Sequence, residues 1–227
     1  HYDFGEDRGC LKKSCTPNCE NFMDTGEHCN RYVELWNLVF MQFYHHPDGT
    51  REPLPAPSID TGMGLERATI IMQEAATMYE TDVFADMLSQ ISTMTEVKYG
   101  RDLDIDYAFR AVAEHSRSST FLAADGVVPS NEGRGYVLRR VIRRAIRLSR
   151  KLGIERGFLR DLADSTIRKM GTIYPELVSH RDFILTVLEL EEERFEQAFE
   201  KGYTMLEEAM KETDRLSGNL VFRLWDT

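Results

Sequence analysis

The stretch Ser58-Ile-Asp-Thr-Gly-Met-Gly-Leu-Glu-Arg67 limits the possible folds of this chain more than any other. A β-branched entry, two glycines and a Glu-Arg pair run straight into the amphipathic residues 68–79. This order predicts a strand, a tight turn and a helix N-terminus. Gly62 and Gly64 have no Cβ, so the backbone can turn sharply there and a flat ligand can lie against it. The first helical turn offers free N–H groups and partial positive charge, and Arg67 adds a fixed cation. Asp60, just before the turn, suits an ammonium group. An anion site beside a cation site fits a nucleotide next to an amino acid.

Residues 1–5 and 31–44 read as strands, the second nearly continuous in apolar and aromatic side chains, as in a buried central strand. In the second strand Asn37 and Val39 share one face by its two-residue period, and Trp36 and Leu38 turn the other way, toward a core. His45-His-Pro-Asp-Gly49 is a turn, and Pro53, Pro55 and Pro57 hold an extended segment beyond it. From Leu65 onward the apolar spacing is helical, over residues 81–93, 107–124, 135–152 and 158–170. Asp125-Gly126 ends the second of these. A long acidic helix follows from residue 175 or 179 to 213. The fold class is therefore α+β: part of an antiparallel sheet in residues 1–80, then an all-helical domain in residues 81–227.

No apolar run is long enough to span a bilayer and no signal peptide opens the chain, so a cytosolic, cytoplasmic protein with no membrane partner is expected. Both ends look like cuts through a longer protein. The net charge of −10 would argue against nucleic acid if it were evenly spread. It is not. Between residues 107 and 156 the only acids are Glu114, Asp125, Glu132 and Glu155, whereas arginine is abundant. Arg139, Arg143, Arg147 and Arg150 recur at three- and four-residue steps and share a helix face. Val137, Leu138, Val141, Ile142, Ala145 and Ile146 form the apolar stripe expected to pack on the core. A basic stripe on a packed helix suits RNA phosphates. About half of these arginines are expected to pair instead with the acidic residues 189–200, since ion pairing within a domain is common.

Three stretches together resemble one family. Residues 58–67 resemble motif 3 of the class II aminoacyl-tRNA synthetases, in its alanine-specific form. Glu34-Leu-Trp-Asn-Leu-Val-Phe-Met-Gln-Phe43 is similar to the strand that precedes it, and Asp125-Gly-Val-Val-Pro-Ser-Asn-Glu-Gly-Arg-Gly-Tyr-Val-Leu-Arg-Arg140 to the start of the tRNA-recognition region. The resemblance implies a parent enzyme that activates alanine with ATP and Mg2+ and transfers it to tRNA(Ala). It implies that Arg67 meets ATP phosphate and Asp60 the alanine ammonium group, the two catalytic residues. Gly62 and Gly64 would border the pocket. Asn37 would hydrogen-bond the substrate carboxylate or hold Asp60, and Val39 would limit side-chain size; core packing is an equal alternative for Val39. Asn131 and Asp226 would read the acceptor-stem G·U pair: an amide offers donor and acceptor, and a carboxylate accepts from the guanine amino group. Arg134, Arg139, Arg143 and Arg147 would contact the tRNA backbone.

The family's motifs 1 and 2, and a His-x-x-x-His editing motif, are not among these 227 residues. The chain by itself is therefore expected not to form an adenylate. Cys10, Cys15, Cys19 and Cys29 cluster in a polar insert, at spacings unlike the usual Cys-x-x-Cys pairs. A structural zinc (Zn2+) loop and a reduced, mobile loop both remain open. Two rival functions stand beside the ligase: a non-catalytic tRNA-binding module or paralogue, and a zinc-dependent interaction domain.

Overall fold

The computed structural model describes residues 1–5, 31–212 and 215–226. The chain divides into two compact units, His1–Val83 and Phe84–Thr227. In the first, β1 (Tyr2–Asp3) pairs antiparallel with β2 (Tyr32–Val33). The Arg31 guanidinium grips the Asp3 carboxylate through both oxygens, at 2.8 and 2.9 Å. That bond, and then the Gly5 N–H, holds the Asp3 carboxyl down at about 2.

The long ribbon of this unit is β3 (Trp36–His45) against β4 (Arg51–Met63), antiparallel, with Trp36 opposite Met63 and Val39 opposite Asp60. Gly49, at φ +86°, closes the turn between them, and Asp48 accepts from both Thr50 N and Oγ1. The register breaks between Met41 and Phe43, opposite the Pro53, Pro55 and Pro57 segment. Prolines have no N–H for the ladder, and a bulge lets the strand continue past them.

Three expectations need correction here. Strand β4 runs through Gly62 to Met63, and Gly64 is the extended N-cap of α1 (Leu65–Met72), so strand passes to helix without a tight turn. Neither glycine takes a positive φ. And β3 is not a buried central strand: Trp36, Leu38 and Phe40 are more than half exposed, and Val39, on the opposite face, is half exposed. A two-stranded ribbon has no second layer of its own to cover either face. Helix α1 is also shorter than the amphipathic run. It ends at Met72, and a 3-10 turn follows at Met78–Glu80.

The second unit contains α2 (Ala85–Thr93), α3 (Leu103–Ala124), α4 (Gly133–Lys151), α5 (Phe158–Met170), α6 (Pro175–Ser179), α7 (Arg181–Glu212) and α8 (Gly218–Asp226). Asp102 caps α3, accepting from the N–H groups of Asp104 and Ile105. Helix α3 is the hub: it packs on α2, α4, α5, α6 and α7. Phe109, Val112, Leu138, Ile142, Ile146, Leu159, Leu162, Ile184, Leu185 and Leu188 are buried in the shared core. Gly126, at φ +79°, ends α3, and Val127 N donates to Leu122 O. Of the two starts expected for the long acidic helix, the later one holds: α7 begins at Arg181, after a break at His180, whose Nδ1 lies 3.0 Å from Ala124 O at the end of α3. Val137, expected in the core, is exposed.

Candidate functional site

In the first unit the strand register gathers four of the sequence-predicted residues. Asn37 stands opposite Gly62, and Val39 opposite Asp60. Directly paired residues project to the same face of an antiparallel ribbon, so Asn37, Val39 and Asp60 share one face. A Cβ on Gly62 would meet Asn37 Oδ1 at 3.2 Å; this glycine makes room for the amide. Asn37 does not hold Asp60. Its Nδ2 donates to Glu34 Oε1 at 3.3 Å. Asp60 is exposed, and its Oδ1 accepts from Thr61 N at 2.8 Å. One carboxylate oxygen is thereby oriented while the carboxylate keeps capacity for a cation.

Arg67 is tethered to the same corner. Its Nη1 donates to the backbone oxygen of Glu34 at 2.7 Å and lies 3.8 Å from Glu34 Oε1. A Cβ on Gly64 would meet Arg67 Cδ at 3.2 Å, so Gly64 lets the arginine chain lie back over the backbone. Glu34 thus joins Arg67 and Asn37, a role the sequence reading did not assign. The only signal for it was an acid at the entry of an otherwise apolar strand.

In the second unit the segment Val128–Glu132 leads into α4. Gly135 is buried, and a Cβ on it would fall 2.3 Å from both Val128 O and Ser130 Oγ. This glycine alone permits the loop to lie on the first turn of α4, and sequence reading passed it over. Ser130 Oγ donates to Glu132 O, 2.8 Å, and fixes the bend. Asn131, exposed, accepts through Oδ1 from Arg139 Nη1. Asp226 is the last residue of α8.

The arginine stripe of α4 is divided. Arg143 Nε donates to Glu191 Oε1 at 2.9 Å, and Arg139 Nε lies 3.4 Å from the same oxygen. Arg150 pairs with Glu196 and its guanidinium sits 3.9 Å over the Phe199 ring. Arg143 likewise stacks on Phe195, at 5.3 Å. These three bind α7, while Arg147 faces solvent. The exposed cations form a neighbouring row: Arg140, Arg144 and Arg147, with Arg134 at the helix start. Among the described residues none of these four has a carboxylate partner; Arg144 donates to Tyr107 Oη, and Arg140 lies 5.8 Å from the Tyr136 ring. The sequence reading missed Arg140 and Arg144. In each Arg-Arg doublet one member turns to α7 and one to water, and only the position of α7 decides which.

Two titratable groups of the same unit, the buried Glu192 and the half-buried His115, have shifted pKa values. Burial pushes the Glu192 carboxyl up to about 7, against the Gly157 and Leu159 N–H groups that favour its anion, with Glu196 and Glu189 adding to the rise. Burial, then the Arg144 charge, lowers the His115 pKa.

Residues 1–227, the whole chain, match the family described as tRNA synthetases class II (A). The chain belongs to that family. It is 48% identical over 229 residues to an alanine–tRNA ligase of Dehalococcoides mccartyi, covering all of this chain and 25% of that relative. Alanine–tRNA ligases of Desulfosudis oleivorans and Thermoanaerobacter pseudethanolicus are 43% and 41% identical over 232 residues, each again over the full chain and 26% of the relative. This class II synthetase chain spans about a quarter of the length of the curated relatives it matches. No helix among the described residues is long and apolar enough to cross a membrane. Cys10, Cys15, Cys19 and Cys29 lie outside the described residues, and among those described no group of three or more His, Cys, Asp or Glu side chains could hold a metal ion.

Proposed function

We propose that this chain is the motif 3 and tRNA-recognition segment of an alanine–tRNA ligase that works in the cytoplasm. The observation that carries the reading is the cross-strand grouping of Asn37, Val39, Asp60 and Gly62, with Arg67 tethered through Glu34 at its end. In the activation step the alanine carboxylate attacks the ATP α-phosphate, giving alanyl-adenylate and pyrophosphate. A hydroxyl of the tRNA terminal adenosine then attacks the alanyl carbonyl and releases AMP. Asp60 takes the substrate ammonium group, which fixes the amino acid by charge. Val39, on the same face, leaves space for a methyl side chain and crowds a larger one. The rest of the Arg67 fork, beyond the Nη1 held by Glu34, meets ATP phosphate in a charge-assisted bond. Magnesium travels with the ATP phosphates.

Asn131, with Asp226, reads the G·U pair of the tRNA(Ala) acceptor stem. The solvent-facing cations Arg134, Arg140, Arg144 and Arg147 supply affinity for its phosphates. Arg139 and Arg143, committed to Glu191, contribute little to that charge. The cysteine segment keeps its reading as a structural zinc loop. Elemental analysis after chelator-free purification is expected to find one zinc per chain; four titratable thiols and no zinc would remove that reading.

The decisive experiment is alanine-dependent ATP–pyrophosphate exchange by a full-length enzyme carrying Arg67→Ala. Removing one charge-assisted bond to phosphate is expected to slow activation about 100-fold or more. Unchanged exchange would show that Arg67 does not meet ATP phosphate. This 227-residue chain alone, without motif 2, is expected to show no exchange above background.

A further inference from the structure

An exposed amide on a loop reads a base pair poorly unless something sets which of its two ends faces outward. Asn131 has such a partner, Arg139, eight residues further on in α4. A guanidinium carries only donors, so the amide oxygen must face it and the Nδ2 group must face away. Arg139 is itself held. Its side chain is 20% exposed, and its Nε lies 3.4 Å from Oε1 of Glu191, a carboxylate with 1% of its surface open. The same oxygen accepts from Arg143 Nε at 2.9 Å. Two guanidiniums thus flank one desolvated carboxylate on α7, an arrangement that resists losing either cation because a buried charge would be left without its partner.

We infer that Arg139 is a positioning residue for base-pair readout. Glu191 anchors Arg139, and Arg139 turns the Asn131 amide so that an NH2 group is presented to the RNA minor groove. The complementary partners there are acceptors: a pyrimidine O2, a purine N3 or a ribose 2′-oxygen. The inference rests on the reading of Asn131 as the residue that meets the G·U pair. It replaces the phosphate contact that the stripe pattern assigned to Arg139. In a phosphate contact the charge of Arg139 would matter and its fork would not. In a relay between Glu191 and Asn131 the fork matters, because a single ammonium cannot reach both partners along the same line.

The test uses full-length alanine–tRNA ligase and acceptor-stem minihelices carrying G·U or G·C, with kcat/KM measured over a range of salt. Asn131→Ala is expected to lower the G·U preference. Arg139→Lys, which keeps the charge, and Arg139→Ala should each lower it about tenfold, with the salt slope unchanged. The double variant Arg139→Ala/Asn131→Ala should be no worse in preference than Asn131→Ala alone, since Arg139 acts through the amide. If Arg139→Lys keeps the full preference, or if the two losses multiply, or if Arg139→Ala lowers the salt slope by about one, Arg139 touches RNA directly and the inference is overturned. If Asn131→Ala leaves the preference intact, the reading of Asn131 itself has failed, and the inference falls with it.

Discussion

Three glycines beside the candidate site residues act by close approach, and each predicts a different injury. Gly135 has Val128 O and Ser130 Oγ where its Cβ would be, both at 2.3 Å, and a backbone carbonyl cannot rotate aside as a side chain can. Gly135→Ala is therefore expected to push the Val128–Glu132 segment off α4, at a cost of roughly 1–3 kcal/mol by the usual penalty for overpacking. Urea unfolding measures the cost, and a diminished G·U preference in the full-length enzyme measures the displacement of Asn131. A stable variant with intact preference would show that the loop tolerates the shift. At Gly62 the obstacle is softer: Asn37 Oδ1 at 3.2 Å, the end of a flexible side chain. Gly62→Ala should leave stability within about 0.5 kcal/mol yet raise the KM for alanine in the full-length enzyme, because the displaced amide lies on the face proposed to hold the substrate. An unchanged KM would place Asn37 outside the amino-acid pocket. At Gly64 the neighbour is Arg67 itself, so an added methyl would shift the guanidinium rather than the backbone. The motif made Gly62 and Gly64 conspicuous in sequence, but for a turn that the structure lacks. Their real reason, a neighbour's atom at close range, comes from how Asn37 and Arg67 lie against them, which sequence pattern does not state.

At the scale of elements, α4 and α7 make a pair whose charges decide function by where they face. The heptad-like spacing of arginine correctly announced a basic helix. It could not say that Glu191 and Glu196 would claim Arg139, Arg143 and Arg150 and leave Arg140, Arg144 and Arg147 to solvent. Charge reversal at Arg140 or Arg147 is expected to weaken G·U and G·C stems alike and to reduce the salt slope of RNA binding by about one for each phosphate no longer neutralised. A change in stem preference instead would mean that the arginine meets a base. The packing of α5 on α7 carries a pH dependence. Glu192, buried at 4% exposure, accepts from Gly157 N at 2.9 Å and has its carboxyl raised to about 7. A raised carboxyl means that the native state holds the proton more tightly than the unfolded chain. The resulting stability is complete below the ordinary carboxyl range and is lost as pH rises through about 7. Glu192→Gln keeps the acceptor without the charge. It should match the parent chain at pH near 4.5 and exceed it at pH 8 by on the order of 1–3 kcal/mol in urea unfolding. A variant less stable than the parent at pH 8 would show that the two N–H donors outweigh burial.

For the whole molecule, the two units differ in how they protect their backbones. The helical unit closes a core around α3, where Phe109, Val112 and Ala113 are fully buried. The ribbon of β3 and β4 keeps large apolar side chains in water on both faces. Amide exchange is therefore expected to be slowest in α3 and α4 and faster by orders of magnitude in β3 and β4. Equal protection in the two would mean that this ribbon is covered in solution. By itself the sequence determined the α+β class, most of the helices and the end of α3 at Gly126. Those follow from local causes: side-chain period, the conformational freedom of glycine and the missing N–H of proline. Only the tertiary structure decided which arginine of each doublet meets an acid, why Gly135 has no side chain, and which of the two starts the long helix takes. Each of those depends on an atom from a distant part of the chain, and no local pattern encodes its position.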